Sequence, residues 1–161
     1  MYKHVAIDPG SSSGAIAGID EHDVVSVINM PGTMLDQFNF LRDAKHNNPV
    51  ITCCLEDVGG TRPGNMAKSA RTFTTHVGGL YMALVAVGIS TFRVLPAKWM
   101  HSGLFGQVPK GSEYAQVKAR KDHLYARAQE LYPGIKMNKD QADAVCILHW
   151  CLKTQQRKDI V

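Results

Sequence analysis

Asp8 ends a short apolar run, Val5-Ala6-Ile7, and leads directly into the turn Pro9-Gly10-Ser11-Ser12-Ser13-Gly14. Glu56 closes a second apolar run, Val50 to Leu55, and Asp140 and Asp143 stand three residues apart much later in the sequence. A carboxylate at a strand end, ringed by small residues, can meet a highly charged group without steric obstruction. Two chemistries use such a site: metal-assisted phosphodiester hydrolysis and nucleotide phosphate binding. Four carboxylates gathered together repel by about 4 kcal/mol per pair at roughly 4 Å and an effective dielectric near 20. Without counter-charge they protonate or splay. Hard oxygen donors of this kind match Mg²⁺ or Mn²⁺, which keep waters and take phosphate oxygens into open positions. Two such ions roughly 3.5 to 4 Å apart activate the attacking water and stabilise the leaving oxyanion.

Each carboxylate also has a plainer explanation. Asp8 before Pro-Gly suits a simple turn, Glu56 with Asp57 a solvated strand end, Asp140 the dipole of a helix and Asp143 an open surface. The joint pattern is harder to dismiss, because a carboxylate ending a wholly apolar strand is costly unless it has a partner. Ser11, Ser12 and Ser13 would be nucleophiles only beside a base that the sequence does not place, so they are read as turn residues. His76 on a long helix and His149 beside Trp150 are read as packing residues. Trp99 and Tyr114, close to several lysines, could stack bases, but burial is the commoner fate of such rings.

The elements that must position these groups follow from periodicity. Strands are expected at Lys3 to Asp8, Gly14 to Ile19 and Val24 to Asn29, the last two joined as a hairpin across Asp20-Glu21-His22-Asp23. Thr33 with Asp36 resembles a capping box, and Leu35, Phe38 and Leu41 recur at helical spacing for about three turns. Val50 to Leu55 reads as a buried central strand. After the Gly59-Gly60 and Pro63-Gly64 loop, Ala70, Phe73, Val77, Leu80, Tyr81 and Leu84 mark a long helix ending at Gly88, with Gly78 and Gly79 tolerated through close packing on the sheet. Ser90 to Leu95 is a strand closed by Pro96. Ser112 is expected to cap a helix to about Leu131, and Gly103, Gly106 and Gly111 mark His101 to Gly111 as the likeliest mobile loop. Asn138 with Gln141 looks like a cap and its box partner, which puts Asp140 in the first turn of a last helix and Asp143 on the same face. In this order the fourth strand is expected beside the first, bringing Asp8 and Glu56 together.

A length of 161 residues fits one domain, residues 1–161. With 45% hydrophobic and 20% charged residues, the composition leaves no tract to be called disordered and points to a compact α/β protein. The net charge of +4 suits a polyanionic partner without proving one. Lys98, Lys110, Lys118, Arg120 and Lys121 concentrate that charge, against Glu113 and Asp122, and are the candidate contacts for such a partner, which the resemblance given below makes DNA; a solvated helix face is the ordinary alternative. No basic leader, apolar signal or membrane-length stretch is evident, so a cytoplasmic protein is expected. Cys53, Cys54, Cys146 and Cys151 lack metal-binding spacing and are read as buried free thiols.

The Asp8-Pro-Gly turn, the strand ending Cys54-Leu55-Glu56, Ala67-Lys68-Ser69-Ala70, Leu95-Pro96-Ala97-Lys98 and Asp140-Gln141-Ala142-Asp143-Ala144 together resemble the RuvC family of Holliday junction resolvases. The match runs through essentially the whole sequence in order, and the first and last motifs are its most specific parts. The resemblance implies an α/β RNase H-like fold, a mixed central sheet of a three-strand antiparallel meander plus parallel strands, flanked by helices. It further implies a homodimer and paired, magnesium-dependent nicking of a four-way DNA junction in recombination or repair. Asp8, Glu56, Asp140 and Asp143 would then be the catalytic, metal-binding set for two Mg²⁺ ions, with Mn²⁺ as substitute. Lys98 and either Lys118 or Lys121 would lie near the cleaved backbone. Cellular members carry a junction-opening aromatic residue just after the strand-four glutamate, where this chain has Asp57-Val58-Gly59-Gly60. The long Lys98 to Lys118 interval is similar to phage-type relatives, which implies a bacterial or phage-infected cell.

Three rivals stand beside this reading. Asp8 to Gly14 also resembles the first phosphate loop of the actin and sugar-kinase superfamily, but those proteins need a second lobe, and no second glycine-rich strand turn follows residue 130. A non-catalytic nucleic-acid module would need the basic residues and not the acidic ones. Another RNase H-like nuclease, acting on flaps or RNA–DNA hybrids, would use the same carboxylates.

Overall fold

A computed structural model describes residues 2–10, 13–49, 51–57 and 67–156, and for 67–71, 155 and 156 the backbone alone. The elements are β1 (Tyr2–Asp8), β2 (Ala15–Asp20), β3 (Val25–Asn29), α1 (Met34–Asn47), β4 (Thr52–Glu56), α2 (Ala67–Ala86), β5 (Ser90–Val94), α3 (Pro96–Met100), α4 (Tyr114–Leu131) and α5 (Lys139–Gln156). The sheet has the order β3-β2-β1-β4-β5. β1, β2 and β3 form an antiparallel meander, while β4 runs parallel to β1 and β5 parallel to β4. The expected mixed sheet is therefore present, with β4 beside β1.

Alternation along the strands feeds two cores. Val5, Ile7, Cys53 and Leu55 face one side, where Leu41 of α1 and Leu80 and Leu84 of α2 cover them. Ala6, Ala15, Ala17 and Cys54 face the other, under Leu124 of α4 and Val145 and Leu148 of α5. The small side chains on that second face let α5 lie close against the sheet, and from Ala144 to Leu148 it is buried at every residue. All four cysteines are buried free thiols, with Cys53 and Cys54 on opposite faces as expected. Among the described residues no helix is long and apolar enough to cross a membrane.

Several boundaries and assignments differ from the sequence expectations. α1 has 14 residues, about a turn more than the apolar spacing indicates; Thr33 caps it, accepting from the Asp36 amide at 3.1 Å. Pro96 does more than close β5, because it opens the five-residue α3 at a position where a missing N–H costs nothing. Glu113, not Ser112, caps α4, exchanging hydrogen bonds with Gln116. The glycines of α2 do not pack on the sheet: a side chain at Gly79 would meet the Met34 methyl of α1, and Gly78 is exposed with open space beside it. The His101 to Gly111 loop is anchored rather than loose. Phe105 is fully buried, Val108 nearly so, and His123 Nε2 lies 2.7 Å from the Phe105 carbonyl. The expected Gly59-Gly60 and Pro63-Gly64 loop lies outside the described residues.

Candidate acidic site

Register places the acidic residues level with one another. Ile7 of β1 pairs with Leu55 of β4, so Asp8 and Glu56, each one residue further on, end neighbouring parallel strands side by side. Asp8 also pairs with Ala15 of β2, and Ala15 with Asn29 of β3, which makes one row across the sheet. α5 is tied to the end of that row. Asn138 Oδ1 accepts from the Gln141 amide and Gln141 Oε1 from the Asn138 amide, each at 2.9 Å, while Gln141 Nε2 donates to Asn29 Oδ1 at 3.0 Å. The start of α5, with Asp140 in its first turn and Asp143 one turn on, is thereby held over the strand ends. The Asp8 turn folds tightly: Gly14 N donates to Gly10 O at 3.1 Å, and a side chain at Gly14 would fall 2.5 Å from the Gly10 backbone.

The four carboxylates act on one another. Burial raises Asp8 well above the ordinary carboxylate range, and the Glu56 charge and a hydrogen bond shared with Glu56 act in the same direction. Burial raises Glu56 as well, against the Trp99 indole N–H, which donates to Glu56 Oε1 at 2.8 Å. Asp143 is pushed from 3.8 to about 7, first by burial and then by Asp8, with Lys121 and Arg120 opposing. Its Oδ1 is fully buried and has no hydrogen-bond partner among the described residues. Glu56, only 8% exposed, is thus no solvated strand end.

Two cations face this cluster from α4. Lys121 pairs with Asp140; burial works against its charge, but Asp140 together with Asp143 and Asp8 holds its ammonium above the usual range. Arg120 stabilises the charged forms of both Glu56 and Asp143, and its guanidinium donates to the Gly111 carbonyl at 3.2 Å. Lys118 and Lys121 differ in their surroundings. Lys121 lies at the carboxylates, and Lys118 is exposed near Asp122, whose charge it favours. Lys98 on α3 and Lys110 in the glycine loop are exposed. Tyr114 is 85% exposed, contrary to the expected packing, whereas Trp99 is buried as expected. Sequence reasoning missed Trp99 as the partner of Glu56 and Arg120 as a neighbour of the acids. The one available signal was that a buried indole N–H needs an acceptor.

Among the described residues no three His, Cys, Asp or Glu side chains are grouped, as they stand, to hold a metal ion. The donor set nevertheless fits a hard divalent cation. Four carboxylates face two basic side chains, and the Asp143 oxygen is buried with no partner among the described residues. Such an orphan is costly unless a cation or water completes it.

No protein-family model matches this sequence, and no curated protein matches it. Solved structures do match. Thermus thermophilus RuvC in complex with a Holliday junction substrate aligns with a TM-score of 0.57 at 12% identity, over 91% of this chain and 90% of that one. A second T. thermophilus RuvC structure aligns with a TM-score of 0.55 at 14% identity, over 89% and 90%. Identity at this level speaks for the fold. The mixed five-stranded sheet and its flanking helices give this chain the RuvC-like, RNase H-like fold.

Proposed function

We propose that the chain is a metal-dependent endonuclease that resolves four-way junctions and related branched DNA, as one RNase H-like nuclease domain. The observation that carries this reading is the electrostatic coupling of Asp8, Glu56, Asp140 and Asp143 at the ends of the interior strands β1 and β4, with a buried Asp143 oxygen left unbonded among the described residues. Asp8, Glu56 and the Asp140/Asp143 pair would hold two Mg²⁺ ions, or Mn²⁺ in their place. When bound, the ions supply an activated water and stabilise the leaving oxyanion. The chain's own part is to keep these acids close and partly dry, with Lys121 and Arg120 offsetting their repulsion until cations and DNA arrive. Lys98, Lys110 and Lys118 are exposed and suited to backbone phosphates, which bind lysine as a point charge. Arg120 is better placed to hold the glycine loop and the acids than to reach outward.

A four-way junction has approximate two-fold symmetry, so paired cuts call for a homodimer presenting two sites. The test is to incubate the protein with end-labelled junction, flap, RNA–DNA hybrid and ATP, each with and without Mg²⁺. Junction cutting in Mg²⁺ is expected, with Asp8→Asn and Asp143→Asn abolishing it while junction binding in Ca²⁺ is kept. Cutting confined to flaps or hybrids would assign a different nuclease, and ATP hydrolysis alone would overturn the reading.

A further inference from the structure

β5 and β4 pair in parallel with Val94 opposite Glu56, so the chain leaves the sheet at the level of that carboxylate. Leu95 and Pro96 then turn it into α3, and within five residues Trp99 returns over Glu56. Consecutive helical residues diverge by about 100°. Lys98 accordingly stays exposed while Trp99 is only 2% exposed.

The indole is clamped from behind. Its ring meets Phe105 edge-on at 5.8 Å, Phe105 meets His149 at 6.1 Å, and the His149 ring accepts or donates a 2.9 Å hydrogen bond with the Tyr132 hydroxyl. An indole has one N–H and no acceptor, so it can only donate, and here it donates to Oε1 of Glu56 at 2.8 Å. A buried indole could satisfy that N–H on a backbone carbonyl. Here it bonds to a buried acid that already has Asp8 and Asp143 as neighbours.

We propose that Trp99 is a positioning residue for divalent cation binding: its N–H fixes Glu56 in one orientation beside Asp8 and Asp143, so that the cation meets a preset carboxylate. This rests on the reading of the acidic cluster as a cation site. Hydrogen-bond partners behind a metal ligand typically contribute ten- to hundredfold in affinity. Trp99→Phe keeps most of the ring volume and removes the N–H.

The experiment measures Mn²⁺ binding through the electron paramagnetic resonance signal of the free ion, for wild type and Trp99→Phe, at a temperature where both retain full far-ultraviolet circular dichroism. Affinity is expected to fall about tenfold or more. A purely structural role lowers the melting temperature and leaves the affinity alone. Wild type binding Mn²⁺ with Trp99→Phe binding it equally well overturns this inference and spares the proposed function. Wild type binding none overturns both. Should Trp99→Phe not fold, Trp150→Phe leaves Trp99 as the one indole, since the sequence has two tryptophans. Its emission should then move saturably with Mg²⁺. Emission unmoved by Mg²⁺ in a protein shown to bind Mn²⁺ overturns the proposal.

Discussion

Asp143 carries an unmet demand, a buried oxygen with no hydrogen bond among the described residues. Its carboxyl is held at about 7, against an ordinary 3.8. Between those values the native protein keeps a proton that the unfolded chain has released, so the native state binds more protons. Stability linked to this group is full below about 3.8 and is lost as pH rises through about 7. Burial raises Asp8 and Glu56 too, which gives the same sign. Urea unfolding in EDTA at pH 5 and pH 8 should therefore show wild type losing roughly 2 to 4 kcal/mol more than Asp143→Asn across that range. Taking the difference between the two proteins cancels the histidines, and saturating Mg²⁺ should shrink it. Equal pH slopes would show that Asp143 is not held protonated.

At the scale of the element, α4 separates two jobs within one turn. Lys121 faces the acids of β1 and α5, and Lys118 faces solvent beside Asp122. Lys118→Ala should weaken junction binding in Ca²⁺ and flatten its dependence on log salt by about 0.9, the loss of one phosphate contact. Lys121→Ala should reduce cutting more than binding, and a salt series paired with a cleavage assay separates the two. The reverse pattern would exchange the two assignments. Much of this element scale was legible beforehand. The cap at Asn138 and Gln141 follows from side chains that bond to nearby backbone, and the strands follow from apolar alternation. α3 was not legible, because a proline after a strand reads equally as a stop and as the first residue of a helix. Nor was the anchoring of the glycine loop, since Phe105 is buried by Trp99 and His149, which come from separate parts of the chain.

At the scale of the molecule, the order β3-β2-β1-β4-β5 turns four scattered acids into neighbours. The adjacency of Asp8 and Glu56 could be anticipated from the succession of elements. The opposing cations could not, because the approach of α4 to α5 depends on packing rather than pattern. One chain offers one such cluster, so sedimentation analysis should give a dimer and junctions should receive paired nicks. A strict monomer at working concentration would leave single nicks. The parallel pairing of β1 with β4 also bears on how the molecule comes into being. Contacts between residues far apart in sequence form late and slowly, and here the carboxylates at positions 8, 56 and 143 must all be in place. During synthesis α5 emerges after every strand, and until it docks, one face of the sheet lacks the helix that lies against β1 and β2. A nascent chain therefore has no assembled acidic cluster until that last helix has seated.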